Sequence, residues 1–221
     1  MKNYITLLAI LFGLTAHAQI NISYSPGYGG YKMDNAKHAL NGVYNSIKSD
    51  LPQNLKITED FPGYVTHNLD LAYQIKIHEV GAKLSYYTTG GIIAYSDYSG
   101  KYKNSTILNG YRFGLVYRIH FWVPTDRFSV FCEISPAIIH TGFKHKLEYP
   151  FSNPNVQKQP LDKKSESTAT IQPSLGSRFI VTESILLFAK GGYDALLSSK
   201  SDANWSGVRV EIGVTWHLKV K

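Results

Sequence analysis

The sequence predicts an all-β fold, an eight-stranded antiparallel up-and-down transmembrane β-barrel with a short helix in its first long loop. Three observations carry that prediction. Eight segments alternate apolar and polar residues with period two, the last of them over the fourteen residues from Val208 to Lys221. The connections between the segments alternate between long polar stretches and tight turns. The polar positions at mid-strand carry charges of both signs, which suits an enclosed interior better than a water-facing surface.

The chain has 221 residues, enough for one domain with a sizeable core. It is 13% aromatic, which argues against a disordered tail. Its mean hydropathy of −0.17 argues against a bundle of apolar membrane helices, which would need runs of about 20 apolar residues. A single cysteine cannot form an intramolecular disulfide.

Residues 1–18 read as a cleaved signal peptide. Lys2 gives a short positive start, Ile5 to Leu14 is apolar, and Thr15-Ala16-His17-Ala18 places small residues before a cut ahead of Gln19. The apolar run is too short to span a bilayer. Removal of Lys2 leaves 22 of the 23 basic residues against 16 acidic ones, a net charge of +6 on the barrel domain 19–221.

Within that domain, weaker alternation covers Gln19–Tyr28 and Val80–Tyr95. Clear alternation places Leu69, Leu71, Tyr73, Ile75 and Ile77 on one face of the second segment. The fourth carries Tyr111, Phe113, Leu115, Tyr117, Ile119, Phe121 and Val123, and the fifth Phe128, Val130, Cys132 and Ile134. The sixth carries Ile171, Leu175, Phe179 and Val181, and the seventh Ile185, Leu187, Ala189, Tyr193 and Leu197. The eighth reads Val208, Val210, Ile212, Val214, Trp216, Leu218, Val220. Residues 29–63, 96–104, 148–165 and 199–206 form long connections. Tight turns fall near Ile77-His78-Glu79, Pro124-Thr125-Asp126 and Thr182-Glu183-Ser184.

Two irregular features stand out. Between the first two strands, Asp34 is a plausible helix N-cap, Leu40, Val43, Tyr44 and Ile47 form a helical stripe, and Pro52 ends the segment. Such a 34–50 helix could act as a lid, a plug or a loop element. Pro136 and Pro173 lie inside the fifth and sixth strands, where each removes a ladder donor, and predict a shared bulge above the membrane band.

The environment follows from which face is apolar. A soluble lipocalin-like ligand-binding barrel turns its apolar face inward, and a membrane barrel turns it outward. The polar face carries Asp70, Lys76, Lys83, Arg112, Arg118, Arg127, Glu133, Arg178, Lys190, Asp194, Arg209 and Glu211, a set suited to a lumen filled by interacting side chains. Tyr111, Phe121, Phe128 and Trp216 are candidates for aromatic girdles. Tyr111 and Phe121 stand roughly 33 Å apart along a strand, and tilt brings this to about 25 Å along the membrane normal, the height of the lipid band.

On these residues the chain resembles the small bacterial outer-membrane barrels of the eight-stranded OmpA/OmpX-like type, over essentially the whole length after Ala18. The resemblance implies residence in the outer membrane of a Gram-negative bacterium, a monomer, and lipid and lipopolysaccharide as neighbours. Such proteins usually end on an aromatic residue, whereas this chain ends Trp216-His217-Leu218-Lys219-Val220-Lys221.

No catalytic chemistry is visible. The eight histidines form no His-Glu-x-x-His motif, and no cofactor or metal site is expected. His140 and His145 read as surface residues, Cys132 as a lipid-facing thiol, and Gly27-Tyr28-Gly29-Gly30 as a flexible strand end lacking the phosphate-loop spacing. No Gly-x-Ser-x-Gly elbow is present. A lipid-modifying or proteolytic barrel enzyme would require a Ser/His/acid cluster at the rim or mouth; the Ser129/Glu133 pair is read as lumen filling. The net charge suggests no nucleic-acid partner, since no recognition motif accompanies it. The loop lysines Lys101, Lys103, Lys144, Lys146, Lys158, Lys163 and Lys164 instead suit anionic lipopolysaccharide, and long loops could also meet an extracellular protein. Eight strands leave room only for side chains, so a structural or surface-interaction role is expected rather than a general pore.

Overall fold

The computed structural model describes residues 19–48, 55–97, 100–125, 127–148, 165–198 and 201–219. The signal segment, Pro52, Lys158, Lys163, Lys164, Val220 and Lys221 lie outside the described residues. The elements are β1 (Gln19–Gly29), α1 (Asp34–Ile47), β2 (Lys56–Asp60), β3 (Tyr64–Ile75), β4 (His78–Asp97), β5 (Gly100–Thr125), β6 (Phe128–Glu148), β7 (Ser165–Ile180), β8 (Ile185–Leu196) and β9 (Gly207–Lys219).

Eight of these strands close a ring. β1 pairs antiparallel with β3 on one side and with β9 on the other, and β3, β4, β5, β6, β7, β8 and β9 follow as neighbours. Closure leaves the ring without an open sheet edge, which lipid demands.

Three findings depart from the sequence reading. First, β4 and β5 remain paired from His78↔Ile119 to Asp97↔Gly100, so residues 96–104 are the tip of a tall ribbon and not a long loop. Tyr95 and Tyr102 face each other across this ribbon and are buried, which explains why the ladder continues. Second, β2 adds a ninth strand beside the upper part of β4. Its five residues, Lys-Ile-Thr-Glu-Asp, hold one strong apolar residue and so gave no alternation to read. Third, the proline bulge does not form. β6 and β7 hold one register through both prolines, with Pro136 opposite Ile171 and Pro173 opposite Ile134. Between β5 and β6 and between β7 and β8 the register is the same on both sides of the proline, where two pairs lapse; the β5–β6 shifts lie further along, at His120–Trp122 and Trp122–Thr125. Both prolines face outward among apolar side chains such as Ile134 and Ile138, inside the apolar belt rather than above it, so the lost donors leave the interior untouched.

Helix α1 packs over the upper mouth. Its N-cap is Met33, in the left-handed region at φ 50°, and Asp34 is the first helical residue, placing a carboxylate in the first turn. The buried stripe is Ala36, Leu40, Tyr44 and Ile47, with Val43 turned to the outside. Gly91 on β4 makes the seat: a Cβ there would meet Phe61 Cε2 at 2.7 Å and Leu40 Cδ2 at 2.9 Å.

Candidate functional site

The barrel is inverted relative to a soluble protein. Phe113, Leu115 and Ile212 are 62%, 65% and 66% exposed on its outside, whereas Arg112 and Arg118, on the same strand as the first two, are 0% and 1% exposed on its inside. Water cannot be the solvent of such a surface, because a continuous apolar belt of this kind is far larger than monomers in water expose. The lipocalin-like alternative requires the opposite arrangement and is set aside.

The inside is built in two storeys. The lower one is a charge cluster to which every ring strand contributes. Arg118 on β5 is its hub, pairing with Asp70 on β3, with Glu79 on β4 through Nη1 at 2.8 Å, and with Glu133 on β6 through Nε at 2.5 Å. Lys190 on β8 reaches Glu133 at 2.8 Å and Glu211 on β9 at 3.3 Å, and Lys83 on β4 reaches Glu211 at 2.9 Å. Arg178 on β7 donates to Glu79 at 2.7 Å, and Ser25 on β1 donates to Glu211 at 3.1 Å. Asp70, Glu79, Glu133 and Glu211 thus face Lys83, Arg118, Arg178 and Lys190, four charges against four. Neutrality matters here, since one unpaired charge in a closed interior costs several kcal/mol.

The register explains the pairing. Glu79 lies directly opposite Arg118, Arg118 opposite Glu133, Asp70 opposite Lys83, and Lys190 opposite Glu211. These four strand pairs therefore bring opposite charges to one height on the inner face. Glycine makes room for them: a Cβ at Gly176 would strike Phe131 Cζ at 2.5 Å and Lys190 Cβ at 2.7 Å. Phe131 in turn lies 5.8 Å under both Arg118 and Arg178.

The upper storey joins charge to an apolar cap. Arg112 and Arg209 share Asp194 at 3.6 and 3.7 Å. Arg209 is held between the rings of Tyr31 and Tyr87, 4.8 Å from each centroid, and donates to the Trp205 carbonyl at 2.6 Å. Above it, Met33, Leu40, Phe61, Ile93, Leu108, Ile139 and Trp205 form a buried apolar cluster. Trp205 donates its indole N–H to Thr141 at 2.8 Å. Burial pushes the Tyr31 phenol above its usual range, with the Arg209 guanidinium opposing. Helix α1 is part of this cap.

At the other end, the side of the short turns, a cavity of about 370 Å³ opens below the charge cluster. His120 on β5 accepts or donates a bond to Ser129 at 3.2 Å and stands 3.4 Å from Glu79. Ser129, His120 and Glu79 therefore form a row with the order of an acyl-transfer triad, and the first two line the cavity. Glu79, however, is already gripped by two guanidinium groups, so its charge is directed at Arg118 and Arg178 rather than at the imidazole.

The sequence-derived lumen set divides accordingly. Asp70, Lys83, Arg112, Arg118, Glu133, Arg178, Lys190, Asp194, Arg209 and Glu211 are buried inside the barrel. Lys76 and Arg127 are exposed in the short turns, because β3 ends at Ile75 and β6 begins at Phe128, which takes both out of the strand alternation. Lys76 holds the left-handed φ of 53° that its turn requires. Glu79 and His120 join the site although the sequence reading placed Glu79 in a turn and assigned His120 no role; their parity matches that of Lys83 and Arg118 on the same strands. Tyr111, Phe121 and Trp216 point outward and are exposed, and Phe128 is half-buried, in edge contact with Trp122 at 6.3 Å between ring centroids. Cys132 is exposed on the outer face, and His140 and His145 are exposed and bonded to Ser167 and Thr106. Among the described residues no group of histidine, cysteine and acidic side chains could hold a metal ion.

No family model and no curated protein matches the chain. Among solved structures it is similar to Neisserial surface protein A (NspA), at 8% identity and a TM-score of 0.50 over 92% of this chain and 97% of that one. It is also similar to the N-terminal β-barrel domain of Pseudomonas aeruginosa OprF, at 12% identity and a TM-score of 0.47 over 90% and 97%. A third is Ail, the attachment invasion locus protein of Yersinia pestis, at 11% identity and a TM-score of 0.42 over 91% and 98%. The fold shared with NspA is the small outer-membrane barrel. Together with an exterior that lipid alone can solvate, it makes this protein an integral β-barrel of the outer membrane.

Proposed function

We propose that the protein is a closed, non-enzymatic barrel that holds an extracellular ribbon against the phosphates of lipopolysaccharide. The observation that carries this reading is a strip of lysines on the outer face of the ribbon, directly above the apolar belt. Lys103 on β5 lies level with Lys56 on β2, both opposite Ala94 of β4. Lys144 and Lys146 on β6 follow two residues apart on the same face, opposite Ile107 and Ser105, and with Lys56 and Lys103 they outnumber Glu148, which stands opposite Lys103. A strip of this kind at headgroup height meets the negative charge of the outer leaflet. The side-chain-filled lumen and the apolar cap favour a closed barrel over a pore.

The test is the triple variant Lys103→Glu, Lys144→Glu, Lys146→Glu in proteoliposomes. It should weaken lipopolysaccharide binding by at least about tenfold, since each exposed pair contributes up to about 1 kcal/mol, and the effect should shrink with salt. Unchanged binding would overturn the reading. Planar-bilayer recordings should show no sustained conductance, and a fluorophosphonate probe should leave Ser129 unlabelled; labelling would favour an enzyme.

A further inference from the structure

The cavity at the periplasmic end has no part in lipopolysaccharide contact or in closing the barrel from above. We propose that it is a binding site for a small organic carboxylate with a short apolar chain, entering from the periplasm. At about 370 Å³ it is within the size range of small-molecule pockets, with room for roughly a dozen waters. Its lining has two characters. Ile77, Val123, Phe128, Ile180 and Leu186 form an apolar wall, and Arg178, His120, Ser129 and Gln74 form a polar one.

The polar wall has donor capacity to offer. Arg178 is 4% exposed. Its Nη2 is committed to Glu79 at 2.7 Å, but Nη1 stands 3.4 Å from Gln74 Oε1 and 3.5 Å from His120 Nε2. Those separations exceed the 2.7–2.9 Å of a charge-assisted hydrogen bond. Arg178 Nε has no hydrogen-bond partner among the described residues. Because Gln74 and His120 themselves line the cavity, Nη1 lies on its wall. Ser129 adds a hydroxyl, and Lys76 stands at the rim.

The chemistry of these donors selects the ligand. A singly charged carboxylate can accept from Arg178 Nη1 and from the Ser129 hydroxyl, both on the cavity wall. A phosphate brings up to two charges, whereas Arg178 is already partly balanced by Glu79 and the rim carries Glu183 as well as Lys76. An ammonium group could meet Glu183 at the rim but would face the buried Arg178 cation inside the cavity. The apolar wall adds affinity for a hydrocarbon chain at about 0.8 kcal/mol per buried methylene.

The experiment is a chemical-shift titration of the full chain in lipid nanodiscs with hexanoate, hexylammonium and inorganic phosphate at matched ionic strength. Hexanoate should shift the amides of Gln74, His120 and Ser129 saturably, with a Kd of about 1 mM or tighter. Hexylammonium and phosphate should not. Lys76→Glu and Ser129→Ala, at an exposed and a half-buried position outside the charge cluster, should each weaken hexanoate by at least about threefold. Equal response to all three ions, shifts confined to lipid-facing amides such as that of Leu115, or unaltered affinity in both variants would each overturn the proposal. Lipopolysaccharide binding should be unaffected by these variants, so the two proposals fail separately.

Discussion

Replacing Arg118 by methionine removes the hub of the charge cluster while keeping most of the side-chain volume. Glu133 would keep Lys190 at 2.8 Å and Lys83 at 3.7 Å, and Glu79 would keep Arg178 at 2.7 Å. Asp70 would be left with Lys190 at 3.9 Å alone. The lower storey would then hold four carboxylates against three cations, the carboxylates at positions no more than 3% exposed, while the surplus cation of the upper storey stays beside Asp194. Removing one member of a buried pair costs about 3–5 kcal/mol, a 10²- to 10³-fold fall in the folding equilibrium or more. The double variant Arg118→Met, Asp70→Asn restores neutrality, three against three, and should recover at least about 2 kcal/mol of the loss. Reversible urea unfolding in lipid vesicles, followed by heat-modifiable gel mobility, measures both. A loss below about 1 kcal/mol for the single variant, with no recovery in the double, would mean that water solvates these charges and that pairing does not hold the lumen together.

Three further outcomes follow from the same geometry. Leu115→Arg, in the middle of the belt and 65% exposed, should cost about 2–4 kcal/mol in vesicles, and unchanged unfolding midpoints would contradict lipid exposure there. Gly91→Leu should expel Leu40 and Phe61 from their seat and make α1 susceptible to protease, while heat modifiability of the barrel survives; an α1 as protected as before would show that it is held elsewhere. Trp205→Ala should destabilise by about 3–5 kcal/mol, and should expose the Arg209 end of the lumen to water, detectable as faster exchange of the upper-strand amides of β9.

Much of the fold is legible in the sequence because a membrane barrel writes its environment in a period of two. Leu115 and Arg118 illustrate it: opposite parity on one strand, and opposite solvents. The same rule would have found Glu79, whose parity on β4 matches Lys83, had the strand start been placed at His78, while His120 already shares the polar face of β5 with Arg118. Where alternation is weak the reading falters. β2 is too short and too polar, and the tip of the β4–β5 ribbon looked like a loop because glycine and serine dilute its pattern. The prolines misled for a different reason. Loss of a ladder donor forces a bulge only where the neighbours cannot tolerate a gap, and here two outward-facing prolines on adjacent strands do so without a register shift.

The sequence by itself determined the strand count of the ring, the face of each strand that meets lipid, and the charged character of the other. These are local properties, set by side-chain alternation along one strand. Which charge meets which was decided only by tertiary structure. Arg118 touches Asp70, forty-eight residues away, and Lys83 touches Glu211, one hundred and twenty-eight residues away. Partners at such separations are chosen by strand register and ring closure, which no single segment encodes. The same holds for the cap, where Tyr31, Tyr87 and Trp205 come from three connections or strands to enclose Arg209, and for the cavity at the short-turn end, whose apolar and polar walls exist only once the barrel has closed.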